Sequence, residues 1–135
     1  MFAIDHLGIA VRSLEKAKEA FRSLGFEVLG EELVEQEKVR VAMAPVGESR
    51  FELLEATSED SPIAKFIAKR GEGLHHVSVR VDDLASTIEA LKRNGVRLVS
   101  DQIQVGAGGH LYVFVHPSSA GGMLLEFCED PPRGV

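Results

Sequence analysis

The chain has 135 residues, 44% apolar and 27% charged, and a formal net charge of −6. That balance suits one globular domain with a real core and argues against non-specific nucleic-acid binding, which needs a basic surface. No apolar run approaches the roughly 18 residues of a membrane span. The N-terminus carries no basic-then-apolar leader, and the lone Cys128 cannot form an intrachain disulfide. A cytoplasmic protein is therefore expected.

Residues 3–11 alternate, with Leu7, Ile9 and Val11 on one face and His6, Gly8 and Ala10 on the other, which predicts a strand. Ser13 can cap a helix that carries Leu14, Ala17, Phe21 and Leu24 at helical spacing, and Gly25 stops it. A second strand is predicted over 26–30 and a charged, exposed connection over 31–37. A third strand covers 39–44, Pro45 to Glu48 turn the chain, and a fourth strand runs 50–55 with Glu52 in its middle. Asp60-Ser61-Pro62 reads as a helix start, and Gly71 to Gly73 as its end. The next strand is predicted at 74–81, a helix from Asp82 or Asp83 to about Asn94, and a strand at 96–100. Strands at 111–115 and 123–129 follow the Gly-rich loop 106–109 and the turn 116–122, before a loose tail over 131–134.

The second half repeats the first. One constant offset lays His6 on His76, Leu7, Ile9 and Val11 on Val77, Val79 and Val81, and Gly25 on Gly95. After a short insertion, Arg50-Phe51-Glu52-Leu53 aligns with Leu124-Leu125-Glu126-Phe127. The pattern predicts an α+β fold: two tandem βαβββ modules, about 3–56 and 73–129, joined by a helical connector over 57–72. Together they would form a single domain over 1–135, an open eight-stranded curved sheet with a shared cleft.

Strand alternation turns His6, His76, Glu52 and Glu126 towards that cleft. Two His and two Glu related by one symmetry axis make a donor set for a divalent ion of intermediate hardness. His75 points the other way and reads as structural. His116 precedes Pro117 and reads as ordering a turn, with a ligand contact as the alternative. His110 follows two glycines and reads as facing water or a substrate.

Several blocks resemble the methylmalonyl-CoA epimerase family of the vicinal oxygen chelate superfamily. They are Asp5 to Val11, Glu52-Leu53-Leu54, Glu59 to Phe66, Gly73 to Val77, His116-Pro117 and Gly121 to Glu126. The resemblance implies that His6, His76 and Glu126 are metal ligands, with Glu52 where some relatives carry Gln. It also implies a homodimer that epimerises methylmalonyl-CoA at C2. The implied cofactor is one divalent ion, with Co2+ favoured and Mn2+, Ni2+ or Zn2+ as alternatives. Some bacterial relatives carry a proposed catalytic Glu on the third strand, where this chain has Val41.

Epimerisation next to a thioester means removing a weakly acidic proton and returning one to the opposite face, which calls for two flanking acid/base groups. Glu52 and Glu126, from opposite halves and each able to loosen from the metal, are the expected catalytic pair, with a bound water or another Glu as the alternative. Lys65, Lys69 and Arg70 on the connector are candidates for the CoA phosphates, the alternative being a solvated basic face; His116 is a further substrate-binding candidate. Other readings are a glyoxalase-type isomerase such as lactoylglutathione lyase, an extradiol dioxygenase, or a metal-free binding or resistance module. The four inward ligands disfavour the last.

Overall fold

The computed structural model describes residues 2–131. The chain runs β1 (Ala3–Ala10), α1 (Leu14–Ser23), β2 (Leu29–Val34), β3 (Val39–Val46), β4 (Ser49–Ala56), α2 (Pro62–Arg70), β5 (Gly73–Arg80), α3 (Leu84–Arg93), β6 (Gln104–Val105), β7 (Leu111–Val115) and β8 (Leu125–Glu129). Both predicted βαβββ modules are present, with α2 between them. No described helix is long and apolar enough to cross a membrane. The expected loose tail lies, beyond Pro131, outside the described residues.

The chain forms two compact units, the first His6–His75 and the second joining residues up to Asp5 to those from His76 on. In the first unit the strand order is β2-β3-β4-β1, with β1 parallel to β4 and the other pairs antiparallel. One face of these strands gives Ile9, Ala42, Ala44, Phe51 and Leu53 to a core closed by Leu14, Ala17 and Phe21 of α1. Phe21, Phe26 and Phe51 pack with ring centroids 5.5 to 5.6 Å apart. The second unit repeats this as β5-β8-β7-β6, with β5 parallel to β8. Its core sets Val79, Val113, Val115 and Phe127 under Leu84 and Ile88 of α3. Period two in the strands thus buries one face under a helix and reserves the other for polar groups.

The helix ends follow the predicted chemistry. Ser13 accepts from the Lys16 N–H, Ser61 from Ile63 and Asp83 from Ser86, each satisfying an orphan donor. Pro62 opens α2, where its missing N–H costs nothing. The paired glycines Gly25 (φ 99) and Gly95 (φ 74) leave α1 and α3 in left-handed conformations that a side chain would strain. A second capping device also repeats. The Leu14 N–H donates to Glu55 at 2.9 Å, and the Leu84 N–H to Glu129 at 2.8 Å. Each carboxylate sits at a helix N-terminus, where it contributes about 0.3–1 kcal/mol.

Two strands depart most from the expected spans, and the last, expected from 123, starts at Leu125. Residues 26–28 are irregular because Phe26 and Val28 turn into the aromatic core, so β2 starts at Leu29 and takes up most of the supposed connection 31–37. Residues 96–100 are not a strand. Leu98 makes a single bridge to Val115, then the Ser100 hydroxyl accepts from the Gln102 N–H and bends the chain away. Pairing resumes only at β6. The turn predicted over 45–48 is shorter, since β3 runs to Val46.

Candidate metal centre

Each unit builds the same device from the same positions. In the first unit, Gly8 of β1 pairs in register with Glu52 of β4, and His6 lies two residues earlier on β1, on the same face. His6 Nδ1 comes to 3.5 Å from Glu52 Oε2. In the second, Ser78 of β5 pairs with Glu126 of β8, and His76 lies two residues earlier. His76 Nε2 comes to 3.8 Å from Glu126 Oε1. The parallel registers therefore put Glu52 and Glu126 at equivalent places. All four side chains belong to buried residues: Glu52 is 5% exposed, and His6, His76 and Glu126 are each 6% exposed.

Buried charge is costly unless it is paired or hydrogen-bonded. Glu52 receives Arg50, whose Nε and Nη2 donate to Oε2 at 3.1 and 2.7 Å. Glu126 receives the hydroxyl of Ser78, which donates to its Oε2. Across the neighbouring strands, Met43 pairs with Glu52 and Phe114 with Glu126. The Phe114 ring meets His76 edge-on with centroids 5.4 Å apart. Val41 shares the face of Met43 and is 2% exposed, so an apolar wall stands where some relatives carry a third-strand Glu.

The imidazole and carboxylate donors suit a borderline divalent ion such as Co2+, Ni2+, Mn2+ or Zn2+. His6 and Glu52 in the first unit, and His76 and Glu126 in the second, supply donors of these kinds. Asp5, His110 and Asp130 form a second candidate group, inside the second unit. There Arg80 already pairs with Asp5 at 3.1 Å. His110 donates from Nδ1 to the Ala107 carbonyl at 3.0 Å and sets Nε2 3.2 Å from Asp130, so it is tied down rather than facing open water.

The remaining candidates are spread out. His75 stacks edge-on against Phe66 of α2, centroids 5.0 Å apart. Burial pushes its pKa down to about 4. The unfolded imidazole titrates near 6.5. The unfolded chain thus takes up the proton first, and His75 supports folding fully above about pH 6.5 and progressively less as pH falls towards 4. His75→Phe should flatten this part of the acid limb, read as the difference in melting temperature between variant and wild type across pH 4–7. An unchanged difference would show that His75 does not titrate as described.

Lys65, Lys69 and Arg70 are exposed on α2, with the Arg70 guanidinium 6.0 Å from the Phe66 ring. His116 accepts from the Ser118 N–H at 3.1 Å, the turn-ordering role its place before Pro117 suggests. Cys128 is buried, and desolvation raises its thiol pKa to about 12. Sequence reasoning missed Arg50 and Ser78. Arg50 was detectable, two residues before Glu52 on a strand. Ser78 was not, because its contact needs the β5–β8 register.

Residues 5–114 match the Glyoxalase/Bleomycin resistance protein/Dioxygenase superfamily. Mitochondrial methylmalonyl-CoA epimerase of Bos taurus is 36% identical over 125 residues, which cover 91% of this chain and 71% of that one. The crystal structure of methylmalonyl-CoA epimerase from Mycobacterium tuberculosis superposes with a TM-score of 0.91 at 36% identity, covering 96% of this chain and 88% of the other. A Streptomyces coelicolor methylmalonyl-CoA epimerase variant in complex with 2-nitronate-propionyl-CoA gives a TM-score of 0.90 at 36% identity, covering 95% and 94%. With the two βαβββ modules of the vicinal oxygen chelate fold and similarity over nearly its whole length, the chain belongs to the methylmalonyl-CoA epimerase family of that superfamily.

Proposed function

We propose that the protein is a divalent-metal-dependent methylmalonyl-CoA epimerase, with His6, Glu52, His76 and Glu126 as one ligand set and the two modules working as one domain. The repeated buried His–Glu pair, set by equivalent parallel registers, is the observation that carries the reading. The donor set fits Co2+ first, with Mn2+, Ni2+ and Zn2+ as alternatives. The Streptomyces coelicolor relative is in complex with 2-nitronate-propionyl-CoA, and a CoA thioester is the substrate class we assign here.

A bound divalent ion would supply Lewis-acid stabilisation of the negative charge that develops on the thioester oxygen. The chain's residues do the rest. One carboxylate, Glu52 or Glu126, takes the C2 proton, and an enolate forms. The other, which enters as the carboxylic acid, gives its proton to the opposite face and inverts the centre, and exchange with solvent resets the pair. Val41, Met43 and Phe114 set apolar groups on the same strand faces as the carboxylates, where excluding water strengthens electrostatics. Lys65, Lys69 and Arg70 are proposed to meet the CoA phosphates, and His116 to lie near the substrate. The reading includes a homodimer, for which exposed Phe2 and Ile4, or Leu29 and Leu33, offer apolar surface. It also includes a cytoplasmic setting, which suits a lone reduced Cys128.

The test is proton exchange at C2 of methylmalonyl-CoA in deuterated water, followed by mass spectrometry. Exchange should occur with metal-loaded protein, stop with chelator and return with Co2+. Loaded protein that exchanges nothing would overturn the reading. Activity only on a glutathione hemithioacetal would move it to the glyoxalase-type alternative.

A further inference from the structure

We infer that Arg50 is a positioning residue that holds the Glu52 carboxylate in the rotamer of a metal ligand; this rests on the metal-centre reading above. Arg50 lies two residues before Glu52 on β4, so both side chains leave the same face. Its Nε and Nη2 converge on a single oxygen, Oε2, at 3.1 and 2.7 Å, and His6 Nδ1 lies 3.5 Å from that oxygen. The Arg50 side chain is 18% exposed and that of Glu52 7%, so this is not the solvated kind of ion pair that contributes little. An ionised carboxylate oxygen has about two lone-pair sites. Both on Oε2 are turned to Arg50, which fixes the Glu52 carboxylate in one rotamer beside His6.

The second unit holds its carboxylate with a different group, and on the oxygen other than the one beside the histidine. The Ser78 hydroxyl donates to Oε2 of Glu126, and Oε1 is the oxygen nearer His76, at 3.8 Å. Each carboxylate thus has one oxygen held by its own unit. Ser78 is neutral, whereas Arg50 carries a charge that no ordinary pH removes. The two carboxylates are equivalent in position and unequal in surroundings. A hydrogen bond to a ligating carboxylate fixes its rotamer, and losing such a partner typically costs about 10–100-fold in metal affinity or activity.

The experiment titrates metal-free wild type, Arg50→Met and Arg50→Lys with Co2+, by calorimetry and by the visible spectrum of the bound ion. Melting of the metal-free forms checks that each variant is folded. Arg50→Met should bind Co2+ about 10–100-fold more weakly. Its Co2+ spectrum should change, because the Glu52 carboxylate is then no longer held in one rotamer. Lysine keeps the charge but cannot hold two N–H groups on one oxygen from a rigid plane, so Arg50→Lys should fall between. In turnover, Arg50→Met should lower kcat with little change in KM, the pattern of lost transition-state alignment. If both variants match wild type in affinity and spectrum, Arg50 does not position Glu52. If wild type itself takes up no Co2+, the metal-centre reading fails and this inference with it.

Discussion

His76→Ala is expected to abolish tight divalent-metal binding and with it epimerase activity, whereas His75→Ala should keep both. The two residues are neighbours on β5, so their side chains leave opposite faces. His76 is buried 3.8 Å from Glu126, against the edge of Phe114. His75 packs on Phe66 of the connector helix. Removing the first deletes a nitrogen donor and leaves a buried carboxylate with less compensation. Removing the second loses packing and so stability, but no donor. Calorimetric titration with Co2+ and metal analysis of the purified variants separate the cases. Equal loss from both would sink the assignment of the two faces.

Glu52→Gln is expected to keep metal, because an amide oxygen still ligates, yet to stop proton transfer on one face of C2. Net epimerisation should fall by roughly 10²–10⁴-fold, the usual cost of a lost acid/base group. One epimer should continue to exchange its C2 proton with solvent while the other does not. Val41→Glu should partly restore turnover in the Glu52→Gln background. Val41 shares its face of β3 with Met43, the register partner of Glu52, so a carboxylate there is delivered to the same side. NMR of each epimer in deuterated water reads the asymmetry directly. Wild-type turnover in Glu52→Gln would reduce Glu52 to a ligand and require the second proton from elsewhere.

Short-range rules made much of this legible. Ser13, Ser61 and Asp83 announce their helices because a cap is a contact between near neighbours. Gly25 and Gly95 end α1 and α3 because the required backbone conformation is local. The strands at Leu111–Val115 and Ser49–Ala56 follow from alternation over a few residues. The strand placed at 96–100 misled, because its apolar residues fit a strand while the Ser100–Gln102 bend and the partner β7 decide where pairing occurs. The one at 26–30 misled because Phe26 found a better place against Phe21 and Phe51 than in a ladder. Tertiary packing overrides strand propensity in such cases.

By itself, the sequence determined the repeat, both module patterns and the four polar side chains set against the cores, because strand alternation and an offset between two copies can be counted along a chain. Only the tertiary structure decided the company those side chains keep. Gly8 opposite Glu52 and Ser78 opposite Glu126 are matters of register between strands far apart in the chain. The donors that hold each carboxylate, a guanidinium in one unit and a hydroxyl in the other, also emerge only there. The reason is physical: hydrogen bonds act over about 3 Å, and no pattern of residue types states which distant atoms the folded chain will bring that close.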